Sequence, residues 1–293
     1  MKKNKLSANI MLVLTAMIWG FAFVAQKSAT IAPFTFNAIR FLIGSLSLIP
    51  VILIFESKGI RDKQKVSNTI KYGIITGCVL FIASNLQHFG IVAITQASKA
   101  GFITGTYTVI VPIFGIFLGK KTNINAWIGA VLAVCGLYLI SVVGTPILEF
   151  GDLLLLISAF FWAAHIMVIY RFVDRVNPIM YSSVQFLTVS VISLFAMLMF
   201  EIPDFSLASL YASTINILYA GIMSSGVAYT LQVVGQKNSD PTAAAIIFSS
   251  ESVFCAIGCV LLLGDKMSVA SIFGCVLIFA GIILSQINIK NKQ

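Results

Sequence analysis

The chain has 293 residues, of which 59% are hydrophobic and only 10% are charged, and its mean hydropathy is +1.00. This composition excludes an ordinary soluble domain and indicates a membrane protein, because an apolar stretch of about 20 residues can cross a bilayer. The net charge of +9 would suit nucleic-acid binding. However, no segment between the apolar stretches is long enough to form a nucleic-acid-binding, nucleotide-binding or catalytic domain.

Ten apolar stretches follow one another along the chain, and each predicts a membrane-spanning helix. The first stretch follows three lysines and resembles a signal peptide. We expect it to be retained, since an equivalent stretch around Trp162 lies in the middle of the chain. The predicted spans are roughly 8–26, 34–55, 72–93, 99–118, 124–143, 152–170, 178–200, 212–234, 241–263 and 268–288.

The sequence contains an internal repeat. Residues 33–140 recur without a gap as residues 178–285, at a constant offset of 145. A register kept over that length indicates a duplication, so we divide the chain into a first repeat, 1–147, and a second repeat, 148–293, with five spans each. Corresponding pairs include Glu56 and Glu201, Gly90 and Gly235, Gly129 and Gly274, and Gly136 and Gly281.

The basic residues predict the orientation of the spans. Fifteen Lys and Arg residues lie in segments that face the cytoplasm if both termini do, and only Lys27, Lys99 and Lys266 lie on the opposite side. The positive-inside rule therefore predicts cytoplasmic termini. Because five is an odd number, the two repeats enter the membrane in opposite senses. The predicted fold is an all-α integral membrane protein with ten transmembrane helices, arranged as two inverted five-helix repeats in the cytoplasmic membrane.

Several segments resemble a known family. The second repeat carries Ser250-Glu251-Ser252-Val253. The family pattern has a proline where this chain has Ser252, so the pattern does not predict the backbone conformation at Glu251. The other matching segments are Leu14-Thr15-Ala16-Met17-Ile18-Trp19-Gly20, Arg40-Phe41-Leu42, Pro241-Thr242-Ala243-Ala244 and Leu262-Leu263-Gly264-Asp265-Lys266. Together they are similar to the EamA-type transporters of the drug/metabolite transporter superfamily. The resemblance covers essentially the whole chain and implies a central cavity, peripheral fifth and tenth helices, and transport of small metabolites, often outward.

Charged residues inside a span are costly and therefore informative. Glu251 lies roughly 16 Å into the ninth span, counted from Asp240 at about 1.5 Å per residue. It is a candidate for proton coupling or for binding a substrate ammonium, and the structural alternative is a neutral or Arg40-paired group. Arg40 is a candidate anchor for a substrate carboxylate, a candidate partner for Glu251, or a scaffold cation, and its repeat counterpart is Gln185.

Two tryptophans occupy matching points of the two repeats. Trp19 and Trp162 lie deep in their spans, where they fit a cavity wall as well as ordinary packing. His88 and His165 are candidate proton relays or hydrogen-bonded structural residues. The remaining candidate substrate-binding residues are Asn85, Tyr107, Tyr229, Gln232 and Ser250.

Helix breaks and caps are also predicted. Pro112 and the pair Gly101/Gly105 should interrupt the fourth span and make it a mobile helix or a static kink. Asp240 and Thr95 are predicted N-caps of the ninth and fourth spans.

The sequence thus predicts a secondary transporter, an exporter of small metabolites such as amino acids or related amphipathic solutes, working by alternating access with Glu251 as the candidate proton-coupling group. The alternatives are a passive facilitator or a multidrug efflux protein of the same fold. A membrane-embedded enzyme is disfavoured, because the chain has no HExxH motif and no paired catalytic aspartates. We expect no cofactor, metal or nucleic-acid partner. Glycine pairs such as Gly73/Gly77 suit a homodimer, although packing within one chain is favoured.

Overall fold

The computed structural model describes residues 2–56, 59–94, 97–119, 122–141, 149–202, 205–264 and 267–286, and every regular element in these ranges is helical. A π-helix, Tyr219–Tyr229, joins the α-helix Thr214–Leu218 to the α-helix Thr230–Gln236, and short 3-10 helices span Gly59–Arg61 and Val173–Arg175. The α-helices are α1 (Lys2–Lys27), α2 (Pro33–Phe55), α3 (Lys63–Ala93), α4 (Ala97–Gly105), α5 (Tyr107–Phe117), α6 (Ile124–Ser141), α7 (Phe150–Phe172), α8 (Pro178–Phe200), α9 (Leu207–Ala212), α10 (Thr214–Leu218), α11 (Thr230–Gln236), α12 (Pro241–Phe248), α13 (Glu251–Leu263) and α14 (Val269–Gln286).

The helices account for all ten predicted spans over their described residues. Eight helical segments are long and apolar enough to cross a membrane, and two shorter apolar helices, Ile124–Ile140 and Val269–Ser285, correspond to the fifth and tenth spans. The fourth span consists of α4 and α5, the eighth of α10, the π-helix and α11, and the ninth of α12 and α13. The all-α membrane class is confirmed, while the number of crossings and their orientation stay predictions.

The bundle buries polar side chains and exposes apolar ones. Asn37, His88 and Gln185 have no exposed surface, whereas Phe195 and Ile283 are 64% and 65% exposed. Such a surface would aggregate in water but is stable against acyl chains. The burial pattern therefore fits helices that face lipid outward and one another inward.

The helices α6 and α14 pack closely through glycines. A Cβ atom added to Gly136 would lie 2.5 Å from the carbonyl oxygen of Gly274, and one added to Gly129 would lie 2.7 Å from that of Gly281. Only residues without side chains allow this approach. Gly129 and Gly136 correspond to Gly274 and Gly281 in the repeat, so the two contacts are equivalent.

The helices α2 and α8 cap each other. The Glu56 carboxylate, at the end of α2, accepts hydrogen bonds from the backbone amides of Ile179 (2.9 Å) and Met180 (2.8 Å) in the first turn of α8. Its repeat counterpart Glu201, at the end of α8, accepts bonds from Phe34 N (2.8 Å) and Thr35 N (2.7 Å) in α2. Neither helix has a capping side chain of its own, so each depends on the carboxylate of the other repeat.

Other predicted packing and capping residues also find partners within the chain. A Cβ atom at Gly73 would meet Val184, and one at Gly105 would meet Leu137, so these glycines serve contacts inside one chain. The predicted N-cap at Asp240 is confirmed, since its side chain accepts from the backbone of α12. The predicted cap at Thr95 lies outside the described residues.

Candidate solute-binding site

Two broken helices form one wall of the site. The ninth span is interrupted between α12 and α13, where Ser249 Oγ donates to Ile246 O (2.7 Å) and Ser250 Oγ donates to Ile247 O (2.7 Å). Hydroxyls that bond to carbonyls three residues earlier compete with the regular helical ladder. The break at Glu251 therefore exists although Ser252 replaces the proline of the family pattern.

The fourth span breaks at the corresponding position. Thr106, the repeat counterpart of Glu251, separates α4 from α5, and its Oγ1 donates to Ile103 O (2.6 Å). The predicted interruption is present at one residue of the glycine pair, since α4 ends at Gly105, whereas α5 continues through Pro112. The hydroxyl of Thr106, rather than the proline, marks the point where this helix breaks.

A narrow cavity of about 30 Å³, partly open to solvent, lies between these breaks. Its lining comes from both repeats, and among the described residues none of the lining side chains belongs to α6 or α14. The central cavity, as we call it, is lined by Trp19, Ala22, Phe23, Gln26, Arg40, Gln87, Thr104, Tyr107, Trp162, Ile166, Ser224, Tyr229, Gln232, Phe248 and Glu251.

Aromatic rings form most of the apolar wall. The ring of Trp19 lies 4.7 Å from Tyr229, 5.3 Å from Phe248 and 6.1 Å from Trp162, measured between centroids. Tyr229 and Trp162 are 6.1 Å apart and nearly parallel. These are favourable aromatic spacings, so the rings hold one another in place and present a preformed surface to a bound solute.

Glu251 is the acid of the central cavity. It is only 4% exposed, it begins α13, and its Oε1 accepts a hydrogen bond of 3.1 Å from the Tyr107 hydroxyl. Tyr107 begins α5, so the bond joins the two repeats directly beside both helix breaks. A change in the charge or position of the carboxyl group would therefore alter a contact of both broken helices.

Arg40 contributes a cation to the same cavity but does not pair with Glu251. Its Nε donates to Asn37 Oδ1 (2.7 Å), and its guanidinium lies 4.4 Å from the centroid of Phe41. Asn37 in turn donates to Asn85 Oδ1 (2.8 Å). The guanidinium is thus held in a fixed position at the cavity wall by amides and an aromatic face.

Four polar atoms of the cavity lining have no hydrogen-bond partner among the described residues. They are the indole Nε1 atoms of Trp19 and Trp162 and the amide Oε1 atoms of Gln26 and Gln232. Indole nitrogens donate, and amide oxygens accept. Since an unpaired buried polar atom costs about 1–3 kcal/mol, the lining is suited to a solute that both accepts and donates hydrogen bonds.

Two pairs of neutral lining residues correspond across the repeats, whereas both charged lining residues have neutral counterparts. Trp19 matches Trp162, and Gln87 matches Gln232, across the repeat. The two charged residues, Glu251 and Arg40, have the neutral counterparts Thr106 and Gln185. The acid and the cation therefore give the cavity its polarity and distinguish the contributions of the two repeats.

Seven of the eleven predicted site residues line the cavity, and four do not. Asn85 is linked to Arg40 through Asn37, which hydrogen-bonds to both residues. The ring of His88 packs at 4.8 Å against Phe36. His165 pairs with Gln185 (3.0 Å), and the Ser250 hydroxyl donates to the backbone oxygen of Ile247 in α12. Among the described residues, no group of three His, Cys, Asp or Glu side chains is arranged to hold a metal ion.

Sequence reasoning missed some of the lining. Gln87 could have been found, because it is the repeat counterpart of Gln232, and Gln26 lies on the same face of α1 as Trp19. Ser224 carried no signal, since it lies inside the π-helix, whose turn differs from the α-helical period. The other missed residues are Ala22, Phe23, Thr104, Ile166 and Phe248.

The sequence matches the model of the EamA-like transporter family twice, over residues 6–142 and 149–287. The chain belongs to the EamA-like transporter family. An uncharacterized transporter of Archaeoglobus fulgidus is 30% identical over 98% of this chain and 88% of its own length. The uncharacterized transporter YoaV of Bacillus subtilis is 23% identical over 96% of this chain and 97% of its own length.

The fold of this EamA-like transporter also has a solved counterpart. A crystal structure that is 19% identical in sequence superposes with a TM-score of 0.79 over 96% of each chain. At that identity the similarity concerns the fold alone. Family membership and the apolar helices together show a multi-pass membrane protein, and the family and its relatives are transporters.

Proposed function

We propose that this EamA-like transporter exports small amphipathic metabolites, such as amino acids or related solutes, across the cytoplasmic membrane by alternating access. The observation that carries the proposal is the central cavity, which lies between the two repeats and holds one acid and one base within an aromatic wall. A transporter built from inverted repeats can present such a site to either side by exchanging the conformations of its halves.

The cavity chemistry supports a zwitterionic or mixed-polarity solute. Glu251 suits an ammonium group, Arg40 suits a carboxylate, and the rings around Trp19 suit an apolar body. The unpaired atoms of Trp19, Trp162, Gln26 and Gln232 offer further donors and acceptors. A thermal-shift screen of a metabolite library tests the solute class, and hits confined to uncharged, fully apolar compounds would contradict it.

Glu251 is the proposed coupling group. A deeply buried carboxyl is costly as an isolated ion, so proton exchange or an arriving ammonium would compensate its charge. The Tyr107–Glu251 bond joins helices of both repeats and would transmit that change to the two breaks. If Glu251 is instead a fixed structural group, replacing it with a residue that cannot titrate should leave transport unchanged.

The variant Glu251→Gln separates these roles, because it keeps the shape and hydrogen bonding of the side chain but cannot exchange a proton. In proteoliposomes, proton coupling predicts that flux driven by a pH gradient fails while solute exchange survives. Ammonium recognition predicts that both activities fail together with binding. Wild-type flux at every pH contradicts both roles, and Asp174→Asn, at an exposed acid away from the cavity, is the matched control.

Accumulation against a gradient separates coupled transport from a passive facilitator. Reconstituted protein should concentrate a solute identified by the screen when a proton gradient is imposed. Equilibration without accumulation would make the facilitator the correct account.

The proposed topology has ten spans with both termini in the cytoplasm. A periplasm-active reporter fused after Glu201 and a cytoplasm-active reporter fused after Gln293 should both be active, because an odd number of predicted spans precedes the first fusion. Cytoplasmic activity at Glu201 would contradict the inverted repeat.

A further inference from the structure

The crossing of α2 and α8 is held by two equivalent hydrogen bonds near its middle. Ser45 Oγ donates to the backbone oxygen of Ser183 (3.0 Å), and Ser190 Oγ donates to that of Ala38 (2.8 Å). At the repeat offset of 145, Ser45 corresponds to Ser190 and Ala38 to Ser183. The second bond is therefore the first bond with the two repeats interchanged.

The hydrogen bonds at the ends of the same two helices are also equivalent when the repeats are interchanged. Glu56 caps α8, and its counterpart Glu201 caps α2, in each case through two consecutive backbone amides. The seam between α2 and α8, which we call the α2–α8 seam, thus carries two pairs of equivalent contacts, one pair at its ends and one near its middle. These two pairs of contacts stay the same when the repeats are interchanged, although the bonds from the Thr35 hydroxyl to Glu201 and from the Ser183 hydroxyl to Ser45 O have no counterpart.

Contacts beside the central cavity behave differently. The Tyr107–Glu251 bond has as its counterpart the pair Ser252 and Thr106, which cannot form the same bond. If the two repeats exchange conformations during transport, each contact takes the geometry of its counterpart. A contact that already equals its counterpart is unchanged by this exchange, whereas an unequal one must be remade.

From this difference we infer that the α2–α8 seam is the fixed axis of the transport cycle and that the broken helices, α4 with α5 and α12 with α13, move around it. The inference rests on the proposed alternating access. The two glutamates and the serines then act as positioning residues, because they hold the axis and touch no solute. The two glycine contacts between α6 and α14 are likewise equivalent, so an exchange of conformations would leave them unchanged.

A disulfide tests the axis directly. The hydroxyl oxygens of Ser45 and Ser183 are 3.0 Å apart, so cysteine sulfurs at these positions can bond with small adjustment. We would place Ser45→Cys and Ser183→Cys in a full-length chain whose five native cysteines are replaced, and measure solute exchange in proteoliposomes before and after oxidation. Ala38→Cys with Ser190→Cys provides the equivalent pair if the first variant folds poorly.

The matched control pair lies across the broken helices. A Cβ atom at Gly101 would lie 3.5 Å from the Cβ of Ser252, so Gly101→Cys with Ser252→Cys joins α4 to α13. Oxidation of this pair should reduce exchange more than tenfold, and reduction should restore it. Oxidation across the seam should leave at least half of the exchange rate, with cross-linking verified by mass spectrometry.

Loss of exchange on oxidation of the seam pair, with recovery on reduction, would overturn the fixed axis while leaving the transport function intact. Failure of both seam pairs to form a disulfide in folded protein would also overturn it. Retained exchange across an oxidised Gly101–Ser252 pair would show that the broken helices do not move apart, which contradicts the second half of the inference. Absence of exchange in every reduced variant and in the parent chain would instead contradict the proposed function.

Discussion

Removal of the Glu201 carboxylate should destabilise the protein more than removal of its counterpart Glu56. Glu201 is 6% exposed and accepts three hydrogen bonds, from Phe34 N, Thr35 N and the Thr35 hydroxyl, at 2.7–2.8 Å. Glu56 accepts two. Bonds to a charged group contribute about 1.5–3 kcal/mol each and do not add fully, so we expect Glu201→Ala to cost about 3–5 kcal/mol and Glu56→Ala about 2–3 kcal/mol.

The free energy of unfolding can be measured by titrating a denaturing detergent into mixed micelles and following tryptophan fluorescence. Glu201→Gln keeps one acceptor oxygen and should lose about half as much stability as Glu201→Ala. Because the two caps lie at opposite ends of the seam, the double alanine variant should show the sum of the single losses. A loss below about 1 kcal/mol for Glu201→Ala, or a larger loss at Glu56, would refute the reciprocal capping.

Three further outcomes follow from the packing and the site. Trp19→Phe keeps the aromatic contacts but removes an indole donor, so KM for solute should rise about three- to tenfold at unchanged expression, in initial-rate flux assays. Gly136→Ala places a methyl group against Gly274 O and should cost about 1–3 kcal/mol in the same detergent titration, while unchanged stability would mean a looser contact. Ser249→Ala with Ser250→Ala removes both hydroxyl bonds at the ninth-span break and should slow exchange several-fold without loss of folded protein; wild-type exchange would show that the hydroxyls do not maintain the break.

The helices and the membrane class could be predicted because they depend on summed hydropathy, which each apolar stretch carries within itself. The repeat added the correspondence between Glu56 and Glu201, although their role as mutual caps needed the three-dimensional arrangement. A helix cap supplied by a residue more than 120 positions away leaves no local pattern in the sequence.

The rotation of a helix was harder to predict than its existence. Gln87 and His88 are neighbours on α3, and successive residues of an α-helix point about 100° apart, so only Gln87 faces the central cavity. The choice of His88 followed its chemistry rather than its orientation. The sequence also left the backbone at Glu251 open, because a proline is a recognisable signal of a helix break and a pair of serine hydroxyls is not.

In the contact between α6 and α14, the two repeats contribute equivalent surfaces, since Gly129 contacts Gly281 and Gly136 contacts Gly274. This is the geometry of an isologous dimer interface, in which one patch is complementary to its own copy. A single five-helix protein inserted in both orientations could form the same contact with a second molecule of itself. In this chain the equivalent contact is internal, and α6 and α14 run antiparallel across it.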